Sequence, residues 1–344
     1  MKALVKTRKG VGHIEIRDVP EPEPAAGQVK IHVAACGVCG TDIHVRHDRF
    51  PYWPPVILGH EFAGTVVQLG PDCRSVRAGD RVVAEPHTLA CGRCELCRAG
   101  HIQICPQKRS PGWGIDGGMA EFICYPERLL HPLPDSMTWD QAAVVEPTAN
   151  IVTDLLERTG VTAGDFVAVQ GPGPMGLLAA LAARAAGARE VALIGARGDA
   201  ELRLPRAAEL GFSRLINADE TDPVEAIREG TGGRGADVVV ECSGSPHAIA
   251  VTPDLVRKMG RICAIGLTGG RSVQVPWDRF AFQVATVVFN LSTQFTSWDR
   301  SIGLIANGRI PAERVITHRE PLENWESVFD AIENLQALKA VLIP

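Results

Sequence analysis

The chain has 344 residues, enough for two domains of ordinary size, each with its own core. Apolar residues make up 45% and charged residues 22%, and the net charge of -5 includes no run of Lys or Arg, which argues against a nucleic-acid or anionic-membrane partner. The opening MKALVKTRKGVGHIEI lacks the apolar core of a signal peptide. The longest apolar run, residues 176–188, is interrupted by Arg184 and too short to span a bilayer, so the expected location is the cytoplasm.

Residues 1 to about 150 read as short strands separated by Gly and Pro: KALVK, HIEIRDVP, QVKIHVAA, AGTVVQLG, DRVVAEP and AEFICYP. Alternation with turn residues at such intervals predicts a small β-barrel or sandwich. Residue types that bind metals lie among these strands. CGVCGTDIH supplies Cys36, Cys39, Thr41, Asp42 and His44, and LGHEF supplies His60 and Glu61. VVEPTAN sets Glu146 in an apolar stretch, where a carboxylate needs a partner. One Cys, one His and one or two carboxylates make a zinc shell with a position open for water or substrate. Taken singly, Cys39 reads equally as a core residue, His60 as a turn residue and Glu146 as a helix N-terminal acid. Taken together beside a nucleotide fold, they favour the metal.

CGRCELCRAGHIQIC, residues 91–105, holds four of the ten cysteines in C-x2-C-x2-C-x7-C spacing. Where thiols stay reduced, such clusters usually bind metal, and Cys91, Cys94, Cys97 and Cys105 can close a tetrahedral zinc site with no open position. Such a site shapes a loop and does no chemistry; disulfide pairing is the alternative. A zinc ribbon that binds nucleic acid would need a basic face, and here only Arg93, Arg98 and His101 stand against Glu95.

From about residue 165 the texture changes. FVAVQ, VALI, RLIN, DVVVEC, RICAIG and TVVFNL alternate with helical stretches such as MGLLAALAARAAG, which predicts an α/β domain with a doubly wound parallel sheet. GPGPMG follows the first of these strands and opens a helix, giving Gly171, Gly173 and Gly176 in G-x-G-x-x-G spacing with Pro174 and Met175 between. In that context the glycines make the turn, admit a pyrophosphate and let helix and strand pack closely. VALI runs into Gly195, Ala196 and Arg197 with no acid at its tip to hold a ribose 2′-OH. Arg197 could face a 2′-phosphate, which favours NADP over NAD, although Arg197 or the nearby Asp199 also reads as a solvated charge. After about residue 295 mixed helix and strand return, ending in ALKAVLIP.

The motifs CGVCGTDIH, LGHEFAGTVVQLG, the four-Cys loop, VVEP, GPGPMG and ECSG occur in that order over essentially the whole chain. The arrangement resembles the zinc-dependent medium-chain dehydrogenases, the superfamily of alcohol, sorbitol and threonine dehydrogenases. The resemblance implies a GroES-like β-barrel catalytic domain over residues 1–151 and 296–344 and a Rossmann domain over 152–295. It implies a catalytic zinc on Cys39, His60 and Glu61, with Glu146 able to join or leave, and a second, structural zinc on the four-Cys loop. Asp42 resembles the acid that orients the His ligand, and Thr41 and His44 the relay that takes the alcohol proton to solvent. The implied reaction moves a hydride between a secondary alcohol and NADP or NAD, giving the ketone, in a homodimer or homotetramer. Segments 48–55 and 111–118 lie where this family lines its substrate pocket, which names Tyr52, Trp53 and Trp113. Sorbitol dehydrogenases carry an Arg after the last Rossmann strand and FNLSTQFTSW has none, so the expected substrate is a polyol, sugar, aminocyclitol or amino acid such as threonine. The competing reading is a zinc-free quinone-reductase-like or catalytically inactive relative, which the Cys/His/Glu set argues against.

Overall fold

The strand and turn signals of the N-terminal part become two sheets in the computed structural model, which describes residues 1–344. Met1–Ala149, Ser292–Gly308 and Ile316–Pro344 form one compact unit, and Asn150–Leu291 with Arg309–Val315 form a second.

The first unit carries β1 (Lys2–Lys6), β2 (Ile14–Asp18), β3 (Gln28–Val38), β4 (Val56–Ile57), β5 (Glu61–Leu69), β6 (Arg81–Ala84), β7 (Phe122–Pro126) and β8 (Leu130–Pro132). The second carries β9 (Phe166–Gln170), β10 (Glu190–Gly195), β11 (Arg214–Asn217), β12 (Ala236–Glu241), β13 (Val256–Ala264) and β14 (Thr286–Phe289). The chain then returns to the first with β15 (Ile316–Pro321) and β16 (Lys339–Ile343).

In the first unit β2-β1-β4 form a small sheet, and β15-β16-β3-β5-β6-β8 form a large one in which β7 also pairs with β3. The eleven-residue β3 is its spine, pairing antiparallel with β5, β7 and β16. Its register with β5 shifts twice, between Lys30 and Ile31 and between Val33 and Ala35. Such bulges bend and twist a strand, which is what a curled sheet needs. Alternate residues Val29, Ile31 and Val33 point into a core shared with Leu4, Phe62, Val66, Val82, Tyr125 and Phe329. Each such side chain removed from water contributes about 1.5–3 kcal/mol before the entropy of ordering is subtracted. At one end of this spine Gly37 stands opposite Glu61 of β5 on one side and Val341 of β16 on the other. The helix Gly40–Arg46 starts immediately after β3 with Cys39 as its N-cap. Three strand ends and a helix start therefore converge on one point.

The second unit is the doubly wound sheet that the alternating pattern predicts. Its strands run in the order β11-β10-β9-β12-β13-β14, all parallel. Every residue of FVAVQ in β9 is buried, as expected for a strand covered on both faces. The helix Pro174–Ala185 buries Leu177, Leu178, Ala179, Ala180, Leu181, Ala182 and Ala183. The strand order reverses between β9 and β12, and a ligand crevice is expected where neighbouring loops diverge. The turn Ala312–Val315 also belongs to this unit, and Arg314 donates to the Glu209 carbonyl at 2.7 Å.

Candidate active site

The convergence at the end of β3 brings Cys39, His60 and Glu61 together, with one ligand atom from each within 4.8 Å of the others. His60 and Glu61 are buried and Cys39 is half-buried. Burial alone would push the His60 imidazole down. The Cys39 sulfur, both as a charge and as a hydrogen-bond partner, and the charges of Asp42 and Glu146 instead hold it up to about 10. A pocket that holds a proton on imidazole so firmly carries a strong negative potential, which suits a cation. His60 Nδ1 is buried with no hydrogen-bond partner. A soft sulfur, an imidazole and a carboxylate are zinc's donors, and three of them leave a position open. Cys36 is fully buried, its thiol pushed well up chiefly by burial, and it stays a core residue.

The surroundings place the other candidates. Cys39 Sγ lies 3.7 Å from Thr41 Oγ1. His44 is exposed on the same helix, and burial of part of its ring, then Arg49 and His47, lower its pKa. The i, i+3 spacing puts Thr41 and His44 on one helix face, but no direct hydrogen bond joins them. Asp42 is fully buried and its Oδ2 accepts the Cys39 N–H at 2.9 Å, while its Oδ1 has no partner. Glu146 sits in the first turn of the helix Val145–Ile151. It lies outside the three-residue cluster, yet its charge acts on His60, Lys108 and Lys339.

Lys339 is the residue that sequence reasoning missed. Its ammonium, buried at the start of β16, pairs with Glu61 Oε2 and donates to the Val38 carbonyl at 2.9 Å. Burial lowers its pKa, but Glu61 and Cys39 outweigh that and raise it. With Oε2 engaged, Glu61 Oε1 is the oxygen left for a metal. Gly37 makes the room, since a Cβ there would stand 2.2 Å from Glu61 Oε2.

Cys91, Cys94, Cys97 and Cys105 form a second cluster with their sulfurs within 4.8 Å of one another. No disulfide joins them. Three backbone N–H groups, from Cys91, Cys94 and Cys97, each donate to a cysteine sulfur at 3.4 Å. N–H bonds from Arg93 and Cys94 pull the Cys91 thiol down to about 6, whereas burial and then the neighbouring sulfurs push Cys97 up to about 12. Four sulfurs this close need a cation before all can be thiolates.

In the second unit Gly171 turns the chain after β9 at φ +90°. Gly173 caps the helix Pro174–Ala185 without a side chain, Pro174 opens its first turn, and Met175 and Gly176 follow. A Cβ on Gly176 would lie 1.9 Å from the Gly171 carbonyl oxygen, so only glycine fits. The helix start thus presents unpaired N–H groups to an anion. Glu241, buried at the end of β12, accepts N–H bonds from Ser243 at 2.9 Å and Gly244 at 3.0 Å, shaping the loop that packs on Gly171. Past β10, the two oxygens of Asp199 are taken by the Ala196 N–H and by Arg203, each at 2.9 Å. Arg197 is exposed, and its backbone N–H donates to Asp219 at 2.6 Å.

Of the three aromatic candidates, Trp113 packs edge-on against His60 at 4.7 Å and against Phe50 at 5.4 Å. Trp53 is exposed and carries the Arg109 guanidinium on its face at 3.4 Å. Tyr52 is 1% exposed, with its hydroxyl bonded to Asp48 and to the Gly10 N–H, and belongs to the core.

Comparison with known proteins agrees with this geometry. Residues 25–135 match the alcohol dehydrogenase GroES-like domain and residues 174–307 the zinc-binding dehydrogenase domain. The chain is 37% identical over 344 residues to a sorbitol dehydrogenase of Halalkalibacterium halodurans, covering 100% of this chain and 99% of the relative. It is 31% identical over 343 residues to a D-arabitol-phosphate dehydrogenase of Enterococcus avium, covering 99% and 97%. A crystal structure of a zinc-binding dehydrogenase from Sinorhizobium meliloti 1021 bound to NADP superposes with a TM-score of 0.92 at 33% identity, over 100% of this chain and 99% of that one. No helix is long and apolar enough to cross a membrane. With a GroES-like unit, a Rossmann unit and relatives matched from end to end, the chain belongs to the zinc-dependent medium-chain dehydrogenase superfamily and is an NAD(P)-dependent zinc alcohol dehydrogenase.

Proposed function

We propose that the protein oxidises a secondary alcohol flanked by polar groups, of the polyol, sugar, aminocyclitol or threonine type, to the ketone. In this reading Cys39, His60 and Glu61 hold the catalytic zinc with Glu146 able to join or leave, and Cys91, Cys94, Cys97 and Cys105 hold the structural one. The observation that carries it is the buried three-donor cluster of sulfur, imidazole and carboxylate, which leaves one side for substrate. Zinc supplies the Lewis acidity that makes a hydroxyl easier to deprotonate, and the dinucleotide supplies the hydride acceptor. The chain's own residues do the rest. Trp113 walls the pocket beside His60. Thr41 Oγ1, next to the Cys39 sulfur, takes the hydroxyl proton. The exposed His44 imidazole, its pKa lowered, is neutral and passes that proton to solvent. Asp42, anchored on the Cys39 N–H, keeps His60 in place.

The same reading gives the barrel unit, residues 1–151 and 296–344, the zinc chemistry and residues 152–295 the dinucleotide, held on Gly171, Gly173, Pro174, Met175 and Gly176. NADP is preferred, because Asp199 is engaged by Ala196 and Arg203 while Arg197 stands exposed with no ion pair. A homodimer or homotetramer is supported by the free edge of β14, where Val287 and Phe289 are exposed beside Trp277, Phe282 and Leu291. The free thiols fit the cytoplasm. A panel of polyols, sugars, cyclitols and threonine, followed at the reduced-nicotinamide absorbance band with each cofactor, tests this. Turnover of at least one secondary alcohol, faster with NADP, is expected; zinc-loaded protein inert toward the whole panel overturns it.

A further inference from the structure

We propose that Lys108 and Arg109 form an anion subsite beside the catalytic zinc ligands, and that the alcohol oxidised here carries a carboxylate or a phosphate. The inference takes its reaction from the dehydrogenase reading above, and its charge from a separate set of contacts.

The two cations are held in place by the four-Cys loop. The Lys108 N–H donates to the Cys105 carbonyl at 2.9 Å, and the Arg109 carbonyl accepts the Leu89 N–H at 3.2 Å. The Lys108 ammonium is half-buried and its one hydrogen bond is a long one, 3.4 Å to the Ser292 hydroxyl. Burial lowers it to about 8, with Glu146 and Cys105 opposing, so it is charged at neutral pH. The Arg109 guanidinium lies flat on Trp53 and makes no ion pair. Its stacked plane is fixed while its N–H edge stays open, the arrangement in which arginine binds a carboxylate or phosphate in a fork.

Both cations lead back to His60. The Trp53 N–H donates to the Trp113 carbonyl at 2.8 Å, and Trp113 packs on the His60 ring. From the other direction, Glu146 acts on Lys108 and on His60. The next residue, Ser110, is wholly buried with an Oγ that has no partner.

The other sheltered lysines in this unit show what is unusual. Lys30 pairs with Glu21 and Glu23 at 3.0 Å each, Lys339 with Glu61, and Lys6 donates to the carbonyls of Gly10 and Gly12. A sheltered charge without such a partner is costly. Two of them side by side, next to an open metal site, are satisfied once the substrate brings the counter-charge.

The test titrates zinc-loaded protein, without dinucleotide, with two matched pairs: glycerol against glycerol 3-phosphate, and 2,3-butanediol against 3-hydroxybutyrate. Binding is read by calorimetry and turnover by nicotinamide absorbance. In at least one pair the anionic member is expected to bind about tenfold tighter or more, with the same preference in kcat/KM. The pair that shows it tells phosphate from carboxylate. Lys108→Gln and Arg109→Gln should each erase most of that preference, whereas Lys108→Arg, folded to the same melting temperature, should keep it. Anions that bind no better than their neutral partners, or a preference that survives in both Gln variants, overturn the subsite whatever the turnover. Selective anion binding that the variants abolish, with no turnover of any probe, leaves the subsite standing and counts against the dehydrogenase reading.

Discussion

The four-cysteine loop and the Cys39–His60–Glu61 cluster lie in one unit, and they are built from different kinds of structure. The loop draws all its sulfurs from fifteen consecutive residues, on the four-residue helix Glu95–Arg98 and the turn Ile102–Ile104. Its N–H···S bonds are local, and three of the four cysteines are half-exposed. The other cluster is collected from the end of β3, the start of β5 and the start of β16, at buried positions. A local site can be read from spacing and answers to local changes. A collected site depends on the whole sheet, and its one intruding cation, Lys339, prevents four identical donors from closing around the metal.

Cys39→Ser and Cys97→Ser test that contrast most sharply. Cys39→Ser should lower kcat/KM about a thousandfold or more, since several kcal/mol of charge stabilisation leave with the metal, while the melting temperature moves by a few degrees at most. Cys97→Ser should keep most of the activity at low temperature but lose about 10 °C of melting temperature. Metal analysis and thermal scans on both variants check the pair, and equal stability losses would erase the distinction. Lys339→Met should destabilise the protein by about 3–5 kcal/mol, because Glu61 is left buried and without its cation. Denaturant unfolding measures this, and Lys339→Met with Glu61→Gln should recover part of the loss.

Acid should act on the foot of the four-Cys loop. His87 is buried, bonded to the Thr293 hydroxyl at 2.9 Å, and its pKa falls to about 3, chiefly through burial and then through Lys108. The unfolded chain protonates this ring near 6.5, so stability should fall as pH drops below that value, by about 1.4 kcal/mol per pH unit, and level off near the folded value. His87→Gln should flatten that part of the slope in unfolding curves taken from pH 7 to pH 4. The smallest effect lies outside both clusters: Arg197→Ala should raise KM for NADP about tenfold and leave KM for NAD nearly unchanged, measured in parallel saturation curves.

Much of this was legible in the residues because the physics was local. The six apolar runs FVAVQ to TVVFNL coincide with β9 to β14, since a strand buried on both faces has little choice of composition. The glycine loop and the four cysteines carry their geometry in their spacing. Lys339 was not legible: in ALKAVLIP it reads as a surface lysine leading into an apolar strand. Only pairing with β3, across 278 residues from Glu61, makes it part of the site. Glu241 was hidden for a related reason, since ECSG shows an acid but not that its oxygens turn back onto the next loop. Tyr52 looked like a pocket residue because aromatic residues next to prolines resemble a lining. The Lys9 ammonium over its ring and Asp48 on its hydroxyl draw it inward instead.

The distance along the chain between Glu61 and its lysine sets an order of events during synthesis. The cysteine loop can capture its ion as soon as residue 105 has emerged from the ribosome. The pocket around His60 cannot mature until residue 339 has emerged and β16 has slotted in beside β3. A nascent chain stalled between those points would hold one ion and no competent catalytic centre, so it could not begin redox chemistry while still tethered.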